Sequence, residues 1–281
     1  MNYKSTAYAS FDGMKLSGYL WEPQNTPKAI INLVHGFGEY MERYDPWAMK
    51  FVEKGYLVHA IDYRGHGKSD GRRGHISRFN DFLEDIDVLI KESKKLFPDL
   101  PQFIYGHSLG GNIVTNYILK KDDEFKGAII SSPWYKLAFN PSYLTLLLAR
   151  IMNKVYPKFT QNSKLEVVGL THDESIVGQY IKDSLIHEKI SARMFFEIYK
   201  AGHWAIDNAD KINMPILIQH GNGDNITSHV ASRGFFEKAK KLGKEIEYKE
   251  WDGLYHELHN ELEKDEIFEY ILKWVEKSLN S

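Results

Sequence analysis

Short, nearly continuous apolar runs punctuate this chain, separated by longer stretches whose apolar residues recur every three or four positions. KAIINLV (28–34), YLVHAID (56–62), QFIYG (102–106), KGAIISS (126–132) and MPILIQH (214–220) are rich in β-branched and aromatic residues and end in turn residues. They predict buried strands. Because their hydrophobicity is continuous rather than alternating, the sheet they form is expected to be parallel and covered on both faces. In FNDFLEDIDVLIKESKKLF (79–97), Phe79, Phe82, Leu83, Ile86, Leu89 and Ile90 fall on one helical face. Acidic residues load its start and Lys91, Lys94 and Lys95 its end, as the helix dipole favours. A second helix is expected from just after Ser108 to about Lys121, and a third over 258–279. YASFDG (8–13) and KLSGYLWEP (15–23) read as an edge hairpin. Strand and helix in alternation predict an α/β fold with a mostly parallel sheet.

The alternation stops over 133–213, a stretch that is apolar and helix-like with no convincing strand. It is too long for a plain connection. The pattern therefore divides the chain into a core formed by 1–132 and 214–281 and a helical insertion, 133–213. That insertion is expected over the carboxyl edge of the sheet, where open α/β folds bind ligands. Within 281 residues, a 43% hydrophobic content supports one sizeable core. A net charge of −2 gives no reason to expect nucleic acid as a partner. The absence of cysteine rules out disulfides, thiolate nucleophiles and cysteine metal sites. The N-terminal stretch has no continuous apolar run of signal-peptide kind, which leads to the expectation of a cytoplasmic protein. The most apolar run, YLTLLLARIM (143–152), is shorter than the roughly 20 residues a membrane span needs and carries Arg150.

Candidate chemistry centres on FIYGHSLGGN (103–112). Gly106-His107-Ser108-Leu109-Gly110 fits G-x-S-x-G between an apolar strand and a helix, the context in which a tight turn lifts a serine Oγ clear of the sheet. Residues two before and two after the serine crowd each other, so only small side chains fit. A base is expected late in the chain, and GLYHELHNE offers His256 and His259. His256-Glu257-Leu258-His259 is one residue short of the zinc pattern H-E-x-x-H, so no metal is expected and His256 is assigned as the base. The acid is expected just beyond a late strand, where PILIQHGNGDNITS places Asp224. Asp207 and Asp210 precede that strand, and Asp252 crowds the histidine loop. The order Ser108, Asp224, His256 is that of α/β-hydrolases. Oxyanion donors are expected from the backbone N–H groups of Phe37, in VHGFGEY, and Leu109.

HGFGEYMERY, YRGHGKSDGRRGHI, GHSLGGN, HGNGDNITS and YHELHNE, in this order over residues 35–261, resemble the monoacylglycerol lipases within the lysophospholipase-like α/β-hydrolases. The resemblance implies Ser108, Asp224 and His256 as the triad, Phe37 and Leu109 as oxyanion donors, and a helical cap where the insertion lies. It further implies that Glu39, Arg43 and His259 line the pocket for a glycerol head group. The alternative for Glu39 and Arg43, four residues apart, is a surface ion pair. His66 and His75 are expected to satisfy backbone hydrogen bonds rather than to act in catalysis. Three positions depart from the family pattern: Leu109 where many relatives have methionine, Asp183-Ser184-Leu185 where Asp-Pro-Leu is common, and Phe37 where smaller residues are common.

The expected activity is hydrolysis of a monoacylglycerol ester through an acyl-enzyme, with no cofactor. The partners expected are a small lipid ester and, through the apolar cap, a lipid surface touched peripherally. A lysophospholipase or broad carboxylesterase on the same scaffold is the alternative, and a non-catalytic binding protein of this fold is a further one.

Overall fold

A computed structural model describes residues 2–121, 124–163 and 167–280; positions 164–166 of the expected insertion lie outside the described residues. In chain order the strands are β1 (Lys4–Ala9), β2 (Lys15–Trp21), β3 (Ile30–Val34), β4 (Leu57–Asp62), β5 (Gln102–His107), β6 (Gly127–Ser131), β7 (Thr160–Asn162), β8 (Lys189–Ser191), β9 (Ile216–Gly221) and β10 (Ile246–Trp251). The helices are α1 (Asp45–Glu53), α2 (Asn80–Leu96), α3 (Leu109–Ile118), α4 (Tyr143–Val155), α5 (Glu174–Lys182), α6 (Ala192–Asp207), α7 (His229–Lys241) and α8 (Lys264–Leu279).

Eight strands form one sheet in the order β1-β2-β4-β3-β5-β6-β9-β10. β2 runs antiparallel to both neighbours, and every pairing from β4 to β10 is parallel. β3, β4, β5, β6 and β9 are buried along their whole length, which is why each reads as a continuous apolar run. One face of the sheet packs α2, α3 and α7 through residues such as Phe82, Ile113, Val114 and Phe235. The other packs α1 and α8 through Trp47, Phe51, Phe268 and Ile271. The edge hairpin starts earlier than its sequence suggests: strand pairing begins at Lys4, and Ser10–Gly13 is the turn, closed by Gly13 at φ 83°.

Three further elements depart from expectation. β10 lies beyond the runs singled out in sequence; as an edge strand carrying Glu247, Lys249 and Glu250, it lacks a continuous apolar run. The helix expected over 258–279 is broken: Leu258–Asn260 form a 3₁₀ turn, Glu261 is extended, and α8 starts at Lys264. The cause is the Glu261 carboxylate, which accepts the N–H groups of Tyr255 (2.6 Å) and His172 (2.9 Å) and so pins this chain reversal. The segment between β6 and β9 is helical, as α4, α5 and α6, but β7 and β8 pair antiparallel within it. At three residues each and largely polar, they carry no periodicity to read.

This segment is seated on the sheet's carboxyl edge by buried and part-buried polar bonds. Asn112 and Asn116 of α3 donate to the carbonyls of Ile198 (3.3 Å) and Ala201 (3.1 Å) in α6. His187 N–H donates to Gly38 (2.9 Å), and Ser191 N–H to Gly74 (2.7 Å). Tyr40 donates to Asp183 at 2.5 Å, while Asp183 accepts the N–H of Leu185 at 2.9 Å. The Asp-Ser-Leu departure thus retains the carboxylate that ties this segment to the core.

Candidate active site

Ser108 sits between β5 and α3 at φ 55°, ψ −117°, a backbone conformation a non-glycine residue adopts only where its surroundings impose it. They do so here. Its N–H donates to Ser131 (2.9 Å), and its carbonyl accepts from Asn112 (3.1 Å) and Trp134 (2.9 Å). The flanking glycines are required by space. A Cβ at Gly106 would come within 2.7 Å of the Gly110 carbonyl carbon, and one at Gly110 within 2.8 Å of the Val34 carbonyl carbon, with the carbonyl oxygens nearer still.

His256 and Asp224 complete a line of hydrogen bonds behind Oγ. Ser108 Oγ lies 2.9 Å from His256 Nε2, and His256 Nδ1 lies 2.6 Å from Asp224 Oδ2. The carboxylate accepts only, so the proton of the neutral ring sits on Nδ1, leaving Nε2 free to accept from the serine. Asp224 is itself held by Ile226 N–H (2.7 Å) and Thr227 N–H (2.9 Å) on Oδ1, and by Thr227 Oγ1 (2.9 Å) and His220 Nε2 (2.9 Å) on Oδ2. Ser232 Oγ meets the other nitrogen of His220 at 2.8 Å, orienting that ring. Burial works against the Asp224 charge, yet His256 and His220 beside it hold its carboxyl well below the usual range. Burial likewise works against the His256 cation, but the Asp224 charge outweighs it and raises the imidazole above its ordinary value. His220 and Thr227 escaped the sequence reading; the HG-x-G-D-N-x-T stretch that carries them is the signal that could have found them.

The N–H groups of Phe37 and Leu109 belong to the two turns that flank Oγ, after β3 and at the first residue of α3. Among the described residues neither is bonded to an acceptor. The Phe37 ring packs edge-on against Trp134 (5.8 Å) and His187 (5.7 Å), so its bulk is taken up between core and insertion. The competing acids lie elsewhere: Asp252 pairs with Asn222, and Asp207 ends α6. His66 meets the Arg64 carbonyl at 3.1 Å, as expected of a structural histidine. His75 instead meets the Ser191 hydroxyl at 2.9 Å and so ties core to insertion.

Glu39, Arg43 and His259 separate. Glu39 and Arg43 form no surface pair; Glu39 is buried, the Arg43 side chain is only 10% exposed, and both are joined to Glu257, a residue the sequence reading passed over. Glu39 Oε1 accepts Gly36 N–H (2.6 Å) and Tyr44 OH (2.7 Å), and Oε2 pairs with Arg43. Arg43 also forks onto Glu257 at 3.1 and 3.0 Å, and its guanidinium lies over the Tyr180 ring at 4.9 Å. Burial would raise the Glu257 carboxyl, but Arg43 holds it down at about 2. Burial does raise Glu39, despite Arg43. His259 stacks on Tyr44 at 4.5 Å behind His107, neutral because burial takes it down to about 3. Two acidic side chains thus face the space in front of Ser108, while Arg43 and His259 are outside its lining.

That space is a cavity of about 750 Å³. Ser108, His256, Glu39 and Glu257 line one end, and apolar side chains from the insertion, among them Leu146, Leu148, Met152, Phe159 and Phe195, line most of the rest. The sequence profile described as serine aminopeptidase, S33 (Hydrolase_4), matches residues 25–263. The chain belongs to this family. It is 28% identical over 270 residues to a monoacylglycerol lipase of Mycolicibacterium smegmatis, covering 96% of this chain and 95% of that one. It is 29% identical to the phospholipase YtpA of Bacillus subtilis, covering 86% and 93%. An uncharacterized abhydrolase domain-containing protein of Dictyostelium discoideum is 34% identical over 96% of this chain, which spans only 28% of that protein. The crystal structure of Paleococcus ferrophilus monoacylglycerol lipase superposes with a TM-score of 0.84 at 29% identity, covering 94% of this chain and 99% of that one. The fold is thus that of the α/β-hydrolases.

Proposed function

We propose that this chain is a serine carboxylic-ester hydrolase that cleaves monoacylglycerols to glycerol and fatty acid. The observation that carries the reading is the line Ser108–His256–Asp224 at the polar end of a cavity walled mostly by hydrocarbon. Ser108 Oγ attacks the ester carbonyl while His256 Nε2 takes its proton. Asp224 keeps the ring in the required tautomer and stabilises the imidazolium. The N–H groups of Phe37 and Leu109 receive the oxyanion. His256 then protonates the departing glycerol oxygen, and the same histidine activates the water that releases the acid. No metal or cofactor enters. Residues 1–132 and 214–281 carry this chemistry, and 133–213 form the cap that holds the acyl chain, each buried methylene contributing ~0.8 kcal/mol.

The head group sits at the end bounded by Glu39, with Arg43 and His259 acting from behind it. The cap also meets lipid surfaces peripherally. Tyr143, Leu144, Leu147, Ile151 and Val155 of α4 are exposed and line no part of the cavity, a run of large apolar side chains that a lipid surface would cover. No helix among the described residues is long and apolar enough to cross a membrane, and a cytoplasmic location with this reversible contact is part of the proposal. A lysophospholipase is the second reading, favoured by the likeness to the Bacillus subtilis phospholipase. A serine-reactive fluorophosphonate probe tests the chemistry: labelling at Ser108, lost in Ser108→Ala, is expected. Labelling that persists in the variant would refute it. Flotation with liposomes tests the surface contact; failure to associate would remove it.

A further inference from the structure

Arg43 reaches the polar end of the cavity only as the cation shared by two buried acids. Its guanidinium is engaged by Glu39 Oε2 and by both oxygens of Glu257, and Tyr180 covers its face. Glu257 is further fixed by Asn260 Nδ2 (2.7 Å) and by its own N–H on Leu170 (2.7 Å). Among the described residues no lysine or arginine lines the cavity, whereas Glu39 and Glu257 both do. His107, the other titratable group beside Ser108, is kept neutral by burial. Even with Glu39 protonated, Arg43 is cancelled by Glu257 and His256 is backed by the Asp224 carboxylate, so this end offers no unpaired cation.

Resting on the monoacylglycerol reading, we infer that Glu257 is a specificity-determining residue: by sequestering Arg43 and facing the head group with a second carboxylate, it makes the site a charge filter. The filter admits neutral polyol esters and rejects those whose alcohol carries a phosphate monoester. A phosphate there would lose its water shell and gain no cation, while facing like charge.

Inhibition of p-nitrophenyl butyrate hydrolysis separates the ideas, using hexylglycerol ether and its 3-phosphate as non-hydrolysable head-group probes. In the natural chain the neutral ether is expected to inhibit about 100-fold more tightly, the scale of a like-charge juxtaposition. Glu257→Gln leaves Arg43 an amide oxygen and Glu39 but removes one of its two carboxylates, so this end gains one unit of positive charge and that gap is expected to narrow about tenfold, through tighter binding of the phosphate. Glu39→Gln, which keeps an acceptor for Gly36 N–H, should act in the same direction and serves if the first variant does not fold. A merely structural role for Glu257 would weaken both probes alike. Equal inhibition by the two ethers in the natural chain would overturn the filter. A preference unchanged in both variants would overturn the assignment to Glu257. Turnover of the ester with inhibition by neither ether would overturn the monoacylglycerol reading itself, and the filter with it.

Discussion

Gly110→Ala is the sharpest probe of how the fold builds the site. The added Cβ would sit 2.8 Å from the Val34 carbonyl carbon and closer still to the carbonyl oxygens of Val34 and His35. All three are backbone atoms at the end of a fully buried central strand, so no side chain can turn aside. Overpacking of this kind costs about 1–3 kcal/mol, which for a chain of this size lowers Tm by about 2–4 °C per kcal/mol. The strain must separate α3 from the turn after β3, and those two segments carry the N–H groups of Leu109 and Phe37. Misplacing one oxyanion donor lowers kcat by ~10²–10³. Gly178→Ala is the matched control: it lies within α5 with nothing within 4 Å of its Cβ, and a helical glycine-to-alanine change stabilises by roughly 0.5–1 kcal/mol. The assay is thermal unfolding alongside kcat on p-nitrophenyl butyrate. A Gly110→Ala protein with the natural Tm and kcat would refute both the steric account of the turn and the placement of the oxyanion donors.

Further outcomes follow from the same geometry. Asp224→Asn should lower kcat by ~10⁴, because the amide no longer holds the Nδ1–H tautomer; a kcat within tenfold of the natural chain's would refute that role. The proposed mechanism uses His256 as the neutral ring, and its pKa is raised, so kcat/KM should fall on the acid side with a midpoint above 6.5. A midpoint below 6.5 would contradict the Asp224 contribution. Arg43→Met removes the cation between two buried carboxylates and should cost about 3–5 kcal/mol near neutral pH. Glu257, folded at about 2 beside Arg43, adds stability that is present above its unfolded value near 4.5 and lost as pH falls towards 2. Without Arg43 the unpaired carboxyl rises instead, so the deficit should shrink as pH falls through 5; urea melts at pH 7 and pH 4.5 check the sign. Met152→Ser, in the apolar wall of the cavity, should lower kcat/KM for a long-chain monoacylglycerol by about tenfold while barely touching a butyrate ester, which has few methylenes to bury.

Much of the scaffold was legible because burial on both faces writes itself as continuous hydrophobicity, as in IINLV and ILIQHG. β10 was hidden by being an edge strand with four half-exposed positions. Ser108, Asp224 and His256 were legible because each needs a local context, a strand followed by a particular turn. Their spacings of 148 and 32 residues in the hydrogen-bond line carry no signal of their own. Glu257 was illegible for a related reason: the only local pattern around it is one residue short of a zinc motif, while its partner Arg43 lies 214 residues away. A spacing of three after His256 did not say on which side of the cavity His259 lies; the 3₁₀ turn at Leu258–Asn260 turns it inward onto Tyr44.

The most direct measurement is fatty-acid release from four substrates in parallel: a monoacylglycerol, a diacylglycerol, a lysophosphatidylcholine and a short p-nitrophenyl ester, with Ser108→Ala alongside. A clear preference for the monoacylglycerol, with release abolished in the variant, is expected. Release from the short ester alone, a preference for the lysophospholipid, or undiminished turnover in Ser108→Ala would contradict the proposed function.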